Sequence, residues 1–175
     1  MALVLVIRDF PADMTLEEIK EMSEEGAGCY ASWNVSWVQS FRDPNTNRML
    51  CFFEAPDAES VRIAVRQSGW TGDALVKSMT HIKTDQQQPG TVVVERQFEV
   101  PTKFADLQAK EDEKNWCLTQ HQVSFVESFF SIDHKTMVCI YQAPDAEAVR
   151  NAQRQADMPH EKVWSCQRLN PALFT

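Results

Sequence analysis

The sequence predicts an α+β fold made of two tandem β-α-β-β-α-β units. Three observations predict it. The second half of the 175-residue chain repeats the first at a constant offset of 88 residues: Ala55-Pro56-Asp57-Ala58-Glu59 recurs as Ala143-Pro144-Asp145-Ala146-Glu147, and Cys29, Met49 and Cys51 recur as Cys117, Met137 and Cys139. An unbroken register of this length marks two copies of one folding unit. Within each copy, short β-branched runs alternate with stripes of helical period. A polar stretch ending in a breaker, Thr84-Asp85-Gln86-Gln87-Gln88-Pro89-Gly90, separates them. The expected organisation is therefore a first unit over 1–83, a linker over 84–90 and a second unit over 91–175.

Each element has a local cause. Leu3 to Arg8 is apolar and β-branched and reads as a strand, copied as Val92 to Phe98, where alternation sets Val92, Val94, Arg96 and Phe98 on one face. Thr15-Leu16-Glu17-Glu18 is a capping box that opens a helix over about 15–30, with Leu16, Ile19 and Met22 as its apolar stripe. The copy, over about 103–118, keeps Phe104 and Leu107 but loses the box. Ser36–Phe41 and Arg48–Glu54 flank the turn formers Asp43 to Asn47 and read as a hairpin; Ile132 to Lys135 is the turn of its copy. Asp57 and Asp145 are N-caps of a second helix in each unit, with Val61, Ala64 and Val65 facing inward in the first. Ala74–Ile82 and Lys162–Leu169 are the closing strands.

This order is the ferredoxin-like, split βαβ topology, with a four-stranded antiparallel sheet and both helices on one face. The other face would leave apolar side chains in water. Packing the two sheets against each other removes that cost, so the expected assembly is an intrachain dimeric α+β barrel.

Composition narrows the partners. The net charge of −8 repels phosphate backbones, which argues against nucleic acid. No apolar run is long enough to cross a bilayer, and the N-terminal run stops at Arg8-Asp9 without the flanks of a signal peptide. Five cysteines, none in a Cys-x-x-Cys pair, point to free thiols and a cytoplasmic protein. No glycine-rich phosphate loop or nucleophile elbow is present.

Arg8 and Arg96 are the most informative candidates. Each is a cation in an otherwise apolar strand, and its burial requires a partner. Glu54 and Glu95 are the natural acids for a cross-strand salt bridge; in the functional alternative the arginines anchor an anion or polar ligand inside the barrel, where a shared cavity could hold both acids. Of the four histidines, His81, His121, His134 and His160, no two have helical ligand spacing. His121, four residues after Cys117, is the best candidate ligand or acid–base group. Cys51 and Cys139 read as small core residues that would touch a ligand only if their face lines a cavity. Trp37 reads as sheet core, and Trp33 and Trp70 as loop residues able to rim a pocket. Arg62, Arg66, Arg150 and Arg154 read as a solvated, ion-paired helix face.

Several strings resemble one small bacterial family: Glu95-Arg96-Gln97-Phe98, Trp37-Val38-Gln39-Ser40-Phe41, Cys51-Phe52-Phe53-Glu54-Ala55-Pro56-Asp57, Cys139-Ile140-Tyr141-Gln142-Ala143-Pro144-Asp145 and Ala148 to Arg154. It is a ferredoxin-like domain family of unknown function that includes nickel-binding members. Its members often carry a histidine in the second helix, where this chain has Ala64 and Ala152. The resemblance implies a non-catalytic protein that holds a small polar ligand or a divalent metal such as nickel; the residues themselves nominate Arg8, Glu54, Glu95, Arg96 and His121 as ligand-binding candidates. The alternative is a cofactor-free oxygenase or isomerase of the dimeric α+β barrel type, with His121, Glu95 and Arg96 at its centre. A packed module without a ligand, and further pairing into a homodimer, also stay open at this point.

Overall fold

Two hairpins of near-identical register carry both halves of the chain. The computed structural model describes residues 1–11, 13–69, 74–84 and 88–174. In chain order the elements are β1 (Ala2–Asp9), α1 (Leu16–Ser32), β2 (Ser36–Arg42), β3 (Arg48–Ala55), α2 (Ala58–Gln67), β4 (Leu75–Lys83), β5 (Val92–Gln97), α3 (Phe104–Glu113), α4 (Asn115–Gln120), β6 (Ser124–Ser131), β7 (Thr136–Gln142), α5 (Ala146–Gln155), β8 (Lys162–Ser165) and β9 (Gln167–Leu169), then a 3-10 turn at Pro171–Phe174. The two-repeat α+β fold is the one the sequence predicts. No helix among the described residues is long and apolar enough to cross a membrane.

The chain forms two compact units, Met1–Met79 with Gln167–Thr175, and Thr80–Cys166. In the first, the strand order is β4-β1-β3-β2-β9. β1 runs antiparallel to β3 from Ala2↔Ala55 to Asp9↔Arg48, and to β4 from Leu3↔Met79 to Ile7↔Leu75. In the second unit the order is β8-β5-β7-β6-β4, the last contributed by the far end of that strand. The single closing strand expected over Lys162–Leu169 is in fact two. β8 pairs with β5 of the second unit, and β9 pairs with β2 of the first at Ser40↔Leu169.

The helices form where the sequence caps them. Thr15 accepts the Glu18 amide while Glu18 accepts the Thr15 amide, completing the capping box of α1. Asp57 and Asp145 cap α2 and α5 with the same geometry. Glu59–Arg62 and Glu147–Arg150 pair identically at 3.1 Å. Arg62 and Arg150 then donate to the Val76 and Val163 carbonyls, tying each helix to its closing strand. One helix departs from expectation. The segment predicted as continuous over 103–118 is split at Lys114 into α3 and α4 by a tightened turn, with the Lys114 amide bonded to the Glu111 carbonyl and the Cys117 amide to the Lys114 carbonyl. Lys103 makes no side-chain cap there, in line with the lost box.

The sheet face toward the helices holds the cores. In the first unit Val4, Val6, Met49, Cys51 and Phe53 meet Ile19, Val61, Ala64 and Val65. In the second, Val92, Val94, Met137, Cys139 and Tyr141 meet Leu107, Leu118, Val149 and Ala152. The opposite face is also dry in each unit: Leu5, Leu50 and Phe52, and likewise Val93, Val138 and Ile140, are fully buried. Both units carry a β-bulge at the same place, between Trp37 and Gln39 and between Phe125 and Glu127. The extra residue resets the alternation.

Replacing Asp57 or Asp145 by alanine removes the cap bond of one helix and is expected to cost about 1 kcal/mol each in urea unfolding. Gly90→Ala is expected to cost about 1–3 kcal/mol by overpacking, because its Cβ would overlap Cγ2 of the fully buried Ile140.

Candidate ligand-binding site

Arg8 ends the inward face of β1 and is only 7% exposed. Its guanidinium lies 5.6 Å from the centroid of the Phe10 ring and faces Tyr30 of α1 and Cys51 of β3. Burial opposes its charge, but the polar groups of Cys51 and Tyr30 more than offset this, so its pKa lies above the ordinary arginine value. Beside it opens a cavity of about 560 Å³ between α1 and the sheet. That volume is within the range of small-molecule sites.

The cavity wall is mainly aromatic and aliphatic. Tyr30 stacks on Phe53 at 5.3 Å, and Trp37 stacks on Phe174 at 5.5 Å. The bulge in β2 brings Trp37 and Ser40 to the same wall, where the indole donates to the Ser40 hydroxyl at 2.8 Å. Arg8 is the sole charged side chain among the described residues that line it; Ser23, Ser36, Ser40, Ser68 and Asn34 supply neutral polar groups.

The second unit answers the same arginine differently. Arg96, 1% exposed, donates to the Tyr141 hydroxyl at 3.2 Å, to Gln153 Oε1 at 2.8 Å and to the Pro159 carbonyl. Tyr141 donates in turn to Glu111 Oε1 at 3.2 Å. The first-unit equivalents of Glu111, Tyr141 and Gln153, 88 residues earlier, are Ser23, Phe53 and Val65. The cation is kept while the three polar side chains around it are replaced by smaller or apolar ones. Burial raises the pKa of Glu111, and pushes Cys139 and Tyr141 up as well, so Cys139 is held as the thiol.

The expected pairing of the arginines with Glu54 and Glu95 is corrected. Glu54 is exposed and, by strand alternation, lies on the opposite face of β3 from Cys51 and therefore from Arg8. Glu95 is 2% exposed but on the opposite face of β5 from Arg96, and it accepts from Trp164 Nε1 at 2.8 Å. Glu111, on α3, is the carboxylate linked to Arg96. His121 caps the end of α4 and bonds Gln155 at 3.0 Å. The other histidines are also engaged: His81 with Glu127 at 2.7 Å while stacked on Phe129, His134 against the Phe130 ring, and His160 with the Met158 carbonyl. Among the described residues, no three His, Cys, Asp or Glu side chains gather so as to hold a metal ion.

Trp33 does not line the cavity; its indole bonds Gln67, while Trp37 forms the wall instead. Trp70 and part of the linker lie outside the described residues. Sequence reasoning missed Tyr30, Glu111, Gln153 and Phe174. Gln153 had a visible signal, a polar residue replacing Val65 in the apolar stripe of the repeated helix.

Tyr141→Phe removes the hydroxyl that links Arg96 to Glu111 and is expected to cost about 1–3 kcal/mol, read from chemical unfolding. Because the folded-state pKa of Glu111 is raised, the native state holds a proton that the unfolded chain releases near 4.5. Its contribution to stability is therefore full below that pH and is lost as pH rises through the folded value. Glu111→Gln is expected to gain stability relative to the natural chain as pH climbs from about 4.5 to 7, measured as the difference between two unfolding series.

The comparisons with known proteins bear on fold and family. The solved structure of TA0507, crystallised as a candidate chlorite dismutase, matches with a TM-score of 0.51 and 8% identity, over 99% of this chain and 98% of that one. At that identity the likeness extends to the two-repeat fold alone. SCO4226 from Streptomyces coelicolor A3(2) matches with a TM-score of 0.39 and 20% identity, covering 43% of this chain and 91% of that one. A heme-binding protein from Thermus thermophilus matches at 0.47 and 9% identity, over 99% of this chain and 94% of that one. Among curated proteins none matches. The family model for the nickel responsive protein SCO4226-like matches twice, at residues 5–77 and 93–165. Since these two matches take in most of both repeats, the chain belongs to the SCO4226-like nickel responsive protein family.

Proposed function

We propose that this protein is a non-catalytic binding module that holds one small molecule in the first unit, with Arg8 as the polar anchor. The observation that carries this is the contrast between the repeats. The same buried arginine is enclosed by Glu111, Tyr141 and Gln153 in the second unit, whereas in the first it borders about 560 Å³ of open volume walled by aromatic rings. A concave, mainly apolar pocket of that size beside a buried cation favours a ligand. The second unit then serves as a filled structural counterpart. Of the candidate residues, Arg8 takes the binding role, Arg96 the corresponding structural one, and Glu54, Glu95 and His121 stand outside the site.

The family description favours nickel as a second reading. The donor chemistry fits it poorly. The buried thiols Cys51 and Cys139 each lie beside a permanently charged guanidinium, which repels a divalent cation. Ala64 and Ala152 leave the second helices without an imidazole donor.

Nile red, a neutral dye that fluoresces in apolar surroundings, tests the first reading. The natural chain is expected to bind it saturably at one dye per chain. A variant carrying Ser23→Glu, Phe53→Tyr and Val65→Gln, which installs the second unit's polar cluster in the first, is expected to lose at least tenfold in affinity while unfolding cooperatively. Equal dye binding by the two proteins would overturn the assignment to this cavity. Saturable nickel uptake by calorimetry at one ion per chain, without dye binding, would favour the metal reading.

A further inference from the structure

Resting on the cavity of the first unit as a ligand site, we infer that its ligand is an aromatic monocarboxylic acid, bound as the monoanion with its carboxylate on Arg8. Three features select that class. Among the described residues of its wall the cavity has one charged side chain, the Arg8 cation, and no acidic one. A cationic ligand would therefore meet repulsion in a site of low dielectric, and a dianion would leave one charge against apolar walls. A single carboxylate matches the planar guanidinium fork and its weak hydration.

The body of the ligand follows from the walls. Tyr30 and Phe53 lie parallel within 6° at 5.3 Å, and Trp37 and Phe174 within 20° at 5.5 Å. Met22, Met49 and Cys51 complete the apolar lining with polarizable sulfur. Flat rings meet such surfaces by offset stacking or edge contact. Tyr30, which interacts with the Arg8 guanidinium, lines the same cavity and carries a hydroxyl that can donate to a carboxylate oxygen.

The test compares 2-naphthoate with its neutral isostere 2-naphthamide by calorimetry at pH 7. The natural chain is expected to bind the acid ten- to a hundredfold more tightly than the amide, the range expected for a buried charge-assisted hydrogen bond. Arg8→Met is expected to abolish that preference while leaving amide binding within a few fold, and Arg8→Lys to retain part of it. If Arg8→Met does not fold, acidification of the natural protein serves instead: acid binding falls as the ligand's own carboxylate is protonated, and amide binding holds. Equal affinities for acid and amide would overturn the monoanion assignment. Nile red bound saturably with neither naphthalene compound bound would overturn the aromatic-acid class but leave the cavity as a ligand site. Failure of all three probes would remove both.

Discussion

A guanidinium buried on the helix-facing side of a strand is the constraint around which each half of this protein is arranged. An arginine cannot shed its charge at any ordinary pH, so the surrounding chain must supply polar partners or tolerate a large desolvation cost. In the second unit the compensation is internal. A hydroxyl, an amide and a backbone carbonyl converge on Arg96, and a carboxylate stands behind the hydroxyl. Those groups come from β7, α5, the loop after α5, and α3, so one charge fixes the positions of most elements of the unit. In the first unit Tyr30 and Cys51 face the guanidinium, and a cavity opens beside it.

Duplication makes that contrast interpretable. Two copies that share bulges, second-helix N-caps and helix ion pairs differ in the side chains that surround the arginine. Ser23, Phe53 and Val65 stand at the positions that Glu111, Tyr141 and Gln153 occupy around Arg96. A packed polar cluster rigidifies the elements it joins.

Much of the architecture was legible in the residues. The 88-residue register, the capping box at Thr15, the Asp57 and Asp145 caps and the hairpin turns each have a local physical cause, and each lies where the pattern put it. The site was legible only in part. Arg8 and Arg96 were visible as charges in apolar strands, but their neighbours were not, because strand alternation says which face a residue takes and not which helix residue reaches it. Glu54 and Glu95 failed as partners on alternation alone, being one residue out of phase with the face they would need. Glu111 escaped notice because it sits in a run of charges, Lys110 to Lys114, that reads as solvated surface. Phe174 comes from the far end of the sequence, and nothing local connects it to Trp37.

That last contact bears on how the protein is made. β9 and the turn that carries Phe174 belong to the first unit, yet they follow the whole second repeat in the sequence. Domains emerging from the ribosome ordinarily fold N-terminal first. Here the first-made unit waits for its final strand until its twin has been translated, so a nascent chain stalled within the second repeat carries an incomplete pocket with Trp37 lacking its stacking neighbour.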